Sequence, residues 1–171
     1  ETPIECITEK GVRTAKAEYE LDILICATGF DAITGAFDRI DIRGTGGLKL
    51  KDKWVDGPKT YLGMQGVGFP NLLTLVGPHN AATFCNIPRC IEQNVEWVTD
   101  LIRYMRQNGY KRIEPNQAAE DAWTKHVYEF VAFTLLPTAD SWFMGVNQNL
   151  PNKKRTFLAY LGGAPAYRAR C

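Results

Sequence analysis

The sequence holds few of the residues that build metal sites and disulfide frameworks. Its 171 residues include two histidines, His79 and His126, and five cysteines at positions 6, 26, 85, 90 and 171. The cysteine count is odd, the spacing irregular and no CxxC occurs, which argues against a secreted disulfide scaffold and against structural zinc. No apolar run approaches the roughly 20 residues that a membrane-spanning helix needs. An excess of either charge is also missing. Twenty Lys and Arg face 19 Asp and Glu, a net +1, so neither nucleic acid nor a membrane surface is an expected partner. The first residues are polar and charged, unlike a leader peptide, and the expectation is a cytoplasmic protein with reduced thiols. The chain starts at Glu1 within what reads as a hairpin, which points to an internal or C-terminal piece of a longer protein.

A dinucleotide fingerprint is absent as well. Gly44, Gly46 and Gly47 do not make G-x-G-x-x-G, and Gly63, Gly66 and Gly68 have its spacing reversed. Any phosphate-binding turn must come from elsewhere.

What is present reads as an α/β chain. Residues 4–8 and 12–19 are strand-like around the turn Glu9-Lys10-Gly11, a leading β-hairpin. "ILICATGF", residues 23–30, follows: four large apolar residues or Cys suited to a strand covered on both faces, then Ala-Thr and Gly29, where a tight turn is free of Cβ conflict. "LKLKDKW" alternates like a half-exposed strand, and residues 72–76 read as a second central strand. Asn86 and Pro88 mark a helix start. Ile91, Val95, Val98, Leu101, Ile102 and Met105 give that helix an apolar stripe, and Gly109 closes it. A second helix is expected over 116–136, stopped by Pro137, with Ala119, Trp123, Val127, Phe130, Val131 and Leu135 as its stripe. "TFLAYL" reads as a short final strand.

Candidate chemistry gathers where the strand at 72–76 passes through Gly77-Pro78 to the helix start. Unpaired N–H groups there carry partial positive charge and suit an anion or a ring carbonyl. The intervening loop is rich in short side chains, which lets a flat ligand approach the backbone. His79 has no carboxylate or second histidine near it in sequence to orient it as an acid or base. Cys85 lacks a base partner and reads as a small buried residue, and His126 as a structural member of the second helix. Trp142, in "DSWFMGVNQN", has an indole that can stack on a ligand or donate to one.

Four stretches in order, "DILICATGFDAITGAFDRIDIRG", "GPKTYLGMQGVGFPNLLTLVGP", "IEQNVEWVTDLIRYM" and "ADSWFMGVN", resemble the C-terminal third of Baeyer–Villiger monooxygenases of the phenylacetone and cyclohexanone type. The resemblance implies part of an FAD/NAD(P)-binding, three-layer Rossmann-like domain with the leading hairpin and a helical C-terminal region. It divides the chain into 1–26, the end of an NADPH-binding domain; 27–110, part of an FAD-binding domain; and 111–171, a helical region with a final strand. It implies FAD and NADPH as cofactors, a small ketone as substrate, and the N-terminal part of the same enzyme as partner. By the same resemblance Thr28 and Gly29 form the corner between the two domains and bind cofactor there. Ala81, Ala82, Thr83 and Phe84 line the substrate, Asn86 and Ile87 approach the flavin ring, and Trp142 contacts the nicotinamide cofactor. Phe84 replaces the aliphatic residue of the phenylacetone enzyme, and Ala81-Ala82 removes a local proline. The family's peroxide-stabilising Arg lies upstream, so no residue here carries the catalytic charge and the chain alone is expected to be inactive. Two alternatives stand beside this reading: a related flavin N-hydroxylating monooxygenase, which shares the Ala27-Thr28-Gly29 corner, and a non-catalytic binding module.

Overall fold

The computed structural model describes residues 2–27, 29–147 and 154–171, without the side chains of Ala82 and Thr83. Two compact units result, 1–30 and 31–171.

The first unit carries a three-stranded antiparallel sheet, β1 (Ile4–Thr8), β2 (Gly11–Thr14) and β3 (Glu18–Glu20), in that order. The expected turn at Glu9-Lys10 is present. Gly11 is required there, because a Cβ would lie 1.9 Å from the Tyr19 carbonyl oxygen. The single strand expected over 12–19 is instead two. The Thr14 hydroxyl accepts from the N–H groups of Lys16 and Ala17, and this side-chain turn folds the strand back on itself. Arg13 and Glu18 pair across the strands at 2.9 Å.

Residues 23–26, expected as a buried central strand, form no strand. Ile23 is 77% exposed and Ile25 82%. A strand exists only through ladder partners, and β1–β3 are the only ladder strands among the described residues. Gly29, expected at a tight turn, has left-handed backbone with φ +70° but lies in open space, where a Cβ would meet nothing.

The second unit is helical and irregular. Short helices α1 (Gly35–Asp38) and α2 (Leu50–Lys53) precede a tight Gly-rich bend at 61–68, and α2 replaces the strand read from "LKLKDKW". Its Leu50 points into the interior while Lys51 and Asp52 face water. Residues 72–76 form turns and extended chain, another central strand that is not realised. The long helices come close to expectation. α3 (Ile87–Gln107) starts at the cap Asn86, whose side chain accepts from Arg89 N at 3.3 Å, and ends before Gly109 at φ +69°. α4 (Gln117–Val131) is capped by Asn116 and stops five residues short of the forecast. There the Thr134 hydroxyl donates to the Val131 carbonyl, and Pro137 lies in a separate 3-10 turn, Leu136–Thr138. A one-turn helix, α5 (Ala164–Arg168), closes the unit.

Trp123, Val127 and Val131 of α4 pack with Leu62, Met64, Ala81, Met144, Phe157, Ala159, Tyr160 and Tyr167 as the core. Residues 157–160 are wholly buried, yet the expected final strand is replaced by single bonds. Thr156 N donates to Met144 O at 2.9 Å and Leu158 N to Phe143 O at 2.9 Å, while Leu158 O accepts from His79 N at 3.0 Å. A charged staple ties the bend to α4: Lys53 Nζ and Val67 N both donate to Glu120 Oε1, at 2.6 and 2.8 Å. On α3 the buried positions are Cys90 and Asn94, and Ile91, Val95 and Ile102 of the expected stripe face outward.

Candidate functional site

The loop that carries the candidate site is held from beneath. Gly63, at φ +66°, lets the bend approach the Asn80 backbone, since a Cβ there would meet Asn80 N at 2.5 Å. Asn80 Nδ2 donates to Asn94 Oδ1 at 3.0 Å and to the Tyr167 hydroxyl at 2.8 Å, and that hydroxyl donates to Leu62 O at 2.6 Å. Asn94 Oδ1 also accepts from Val76 N at 3.1 Å. Burial pushes the Tyr167 hydroxyl above its ordinary range, so it stays protonated and available as a donor.

His79 belongs to this support. It is fully buried at φ +68°, and its Nε2–H donates to the Phe157 carbonyl at 3.0 Å. Burial lowers its pKa to about 4, opposed in part by that hydrogen bond. A neutral, enclosed imidazole reaches no substrate, and the structure gives it a packing role. His126 is held at 3.2 Å from the Tyr160 hydroxyl, with its pKa lowered by burial and by Arg170, a structural residue as expected.

From this base the chain turns through a 3-10 helix, Ala81–Phe84, into the α3 cap. Ala81 is buried in the core, whereas Phe84 is 47% exposed. Asn86 and Ile87 face outward at the helix start, and Pro88 in the first turn leaves Ile87 N as its foremost amide. A second 3-10 helix, Trp142–Met144, is set by Ser141, whose hydroxyl accepts from Phe143 N at 3.2 Å.

Phe143 joins these segments. Its ring stacks on Trp142 with centroids 3.8 Å apart and meets Phe84 at 5.0 Å. Phe84 and Trp142, 58 positions apart in sequence, thus share one aromatic stack with its outer ring half exposed. Phe143 was not singled out in the sequence, and its place beside Trp142 in a short helix was the only signal available. Thr28 lies outside the described residues, and Gly29 belongs to the other unit. Ala82 and Thr83 are placed by backbone alone, within the turn. Cys85 is neither reduced nor fully buried as expected: it is half-buried and disulfide-bonded to Cys90, while Cys6, Cys26 and Cys171 are free. Among the described residues no cluster of His, Cys, Asp and Glu has the make-up of a metal site. Among the described residues, too, no helix is long and apolar enough to cross a membrane. The arrangement offers a flat apolar face beside a capped helix start, suited to a planar ligand with a carbonyl edge.

No family model matches the chain. Relatives do. It is 49% identical over its whole length to a 2-oxo-Delta(3)-4,5,5-trimethylcyclopentenylacetyl-CoA monooxygenase of Pseudomonas putida, covering 32% of that protein. Over 97% of its length it is 44% identical to a cyclohexanone 1,2-monooxygenase of Acinetobacter sp and 42% to a Baeyer-Villiger monooxygenase of Pseudooceanicola batsensis, covering 30% of each. Over nearly all of its own length the chain thus matches one stretch of Baeyer–Villiger monooxygenases. It spans about a third of the length of these relatives. In structure it is similar to OTEMO crystallised with FAD and NADP, with TM-score 0.90 and 49% identity over 99% of this chain and 31% of that one.

Proposed function

We propose that this chain forms part of an FAD- and NADPH-dependent Baeyer–Villiger monooxygenase that inserts oxygen into a small ketone to give an ester or lactone. The observation that carries this reading is the Phe84–Phe143–Trp142 stack beside the α3 start, in a chain that shares 44–49% of its residues with ketone-oxidising relatives. The site fits a flavin ring system. The Ile87 amide is a donor for a pyrimidine carbonyl, the turn Ala81–Phe84 presents an apolar wall to a substrate, and Trp142 offers a stacking face to a nicotinamide. The flavin would supply the oxidising chemistry. This chain's residues would bind, orient and exclude water, with no acid or base among the exposed site residues.

The same reading assigns 1–26 to the end of an NADPH-binding domain, 27–110 to part of an FAD-binding domain of Rossmann type and 111–171 to a helical C-terminal region. It places Thr28 and Gly29 at the corner between the first two. The bare apolar run at 23–26 and the outward Ile91, Val95 and Ile102 support it, because such surfaces fit faces that other segments of a longer enzyme cover. Three free thiols accord with a cytoplasmic setting.

A chimera tests the proposal. The matching stretch of the Acinetobacter cyclohexanone monooxygenase is replaced by this chain, and NADPH oxidation is followed with ketones and with amines. Ketone-dependent turnover to an ester supports the reading. A chimera that folds and holds FAD but oxidises no ketone overturns it, and turnover of amines alone transfers the site to the N-hydroxylating class.

A further inference from the structure

A cavity of about 150 Å³ is walled by α1, by α2 with the turn after it, and by residues 154–158. None of the three stacked rings lines it. Among its lining residues Thr34, Pro58 and Leu158 are buried, while Lys51, Val55 and Lys154 stand exposed at its mouth. A space of that order holds a molecule about the size of benzene.

Two lining side chains carry buried polar atoms that find no hydrogen-bond partner among the described residues, the Thr34 hydroxyl and the Trp54 indole N–H. Thr34 is 5% exposed and directly precedes α1, where a threonine hydroxyl commonly caps, yet its side chain makes no cap bond. Trp54 is fixed by the ring of Phe37, which meets it edge-on at 5.4 Å. An indole N–H can only donate, and a hydroxyl donates as well as accepts. A donor buried without an acceptor costs free energy. An oxygen acceptor relieves both groups, and Pro58 and Leu158 supply an apolar wall beside them.

Charge decides the class of that acceptor. Lys51 and Asp38 both line the cavity, and Lys154 is paired with Asp56. Two cations against two carboxylates leave the mouth without net charge, which favours a neutral carbonyl over a carboxylate or a phosphate.

We propose that this cavity binds a small neutral carbonyl compound, whose oxygen accepts from the Thr34 hydroxyl and the Trp54 N–H. Its hydrocarbon part lies on Pro58 and Leu158. A ketone and the ester or lactone made from it share this chemistry. The relevance of such compounds rests on the function argued above, whereas the binding needs neither flavin nor turnover. The cavity wall is joined to the candidate site by main-chain bonds, Thr156 N to Met144 O and Leu158 N to Phe143 O, both at 2.9 Å. The site is thus a second holding place for substrate or product behind the segment that carries Trp142.

The four tryptophans give four indole N–H resonances, and Trp54→Phe identifies the one from Trp54. The full chain, labelled with nitrogen-15, is titrated with cyclohexanone and with ε-caprolactone. Cyclohexane and cyclohexanecarboxylate serve as controls. Both carbonyl compounds are expected to move the Trp54 signal saturably, and the tighter of the two marks substrate or product as the occupant. The controls are expected to leave it in place. Thr34→Val keeps the shape without the hydroxyl and should weaken binding about fivefold, the loss of one hydrogen bond. Thr34→Ser should retain it, and Thr34→Ala is the second variant should Thr34→Val fold poorly. A Trp54 signal that neither carbonyl compound moves, one that either control moves as readily, or parental affinity without the hydroxyl would each overturn the proposal. Failure of the chimera to oxidise ketones while Trp54 still responds counts against the function alone. Ketone turnover with a silent Trp54 signal counts against this cavity alone.

Discussion

Glu120 lies 1% exposed on α4 and receives the Lys53 ammonium of α2 at 2.6 Å, joining residues 67 positions apart. The same carboxylate oxygen accepts from Val67 N, and Lys53 also donates to the Val67 carbonyl. The Gly-rich bend under the candidate site is therefore held through a buried charge pair whose members satisfy each other and both backbone polar groups of Val67. Breaking such a pair from one side leaves an uncompensated charge.

Glu120→Gln keeps the shape but leaves Lys53 without its counter-charge. Unfolding in urea is expected to show a loss of about 3 kcal/mol. The double variant Lys53→Met with Glu120→Leu should lose much less than the sum of the single changes, since no lone charge is left behind. Additive losses would show that the pair is not coupled.

His79 makes stability depend on acid. Its pKa of about 4 in the folded state lies below the ordinary 6.5 because burial disfavours the imidazolium. Between these values the unfolded chain binds the proton and the folded chain does not. The stabilisation is complete above about pH 6.5 and drains away as pH falls toward 4, by about 3 kcal/mol from this group. His79→Gln is expected to be less stable at neutral pH but to show a flatter loss between pH 6.5 and 4. A slope in that window equal to that of the unaltered chain would refute the assignment.

Gly63→Ala is expected to cost about 3 kcal/mol in thermal or urea unfolding. The backbone is left-handed at this residue, and the added methyl meets the Asn80 backbone rather than a yielding side chain. Gly109→Ala carries a similar φ of +69° but faces open space, and should cost only about 1 kcal/mol. Equal losses at the two sites would rule out the close approach as the cause.

Trp142 is 50% exposed, so Trp142→Ala should leave unfolding within about 1 kcal/mol of the parent. In the ketone-oxidising chimera the same change is expected to raise KM for NADPH about tenfold, the loss of one stacking contact. An unchanged KM would remove Trp142 from the cofactor site.

Local signals in the sequence carried the helices and turns. Asn86 and Asn116 were readable as caps because a side-chain oxygen beside a helix start satisfies its own neighbours' N–H groups, and both do so here. Gly109 was readable as the end of its helix for a reason equally local, the freedom of glycine at positive φ. The apolar runs at 23–26 and 72–76 misled, because apolarity reports that a segment is to be covered and not that a ladder partner is at hand. The α3 stripe was half right on the same account: Ile91, Val95 and Ile102 have the spacing of a buried face, and the described residues leave it bare.

The sequence by itself determined where this protein caps, bends and starts its helices, and ordered likeness along nearly its whole length carried the resemblance to one family. These depend on neighbours within a few positions or on direct comparison of residues. Only the tertiary structure decided that Phe143 joins Phe84 to Trp142, that Lys53 finds Glu120, that His79 is enclosed and that Cys85 meets Cys90 across a helix start. Side chains far apart in sequence meet only when the whole packing brings them together.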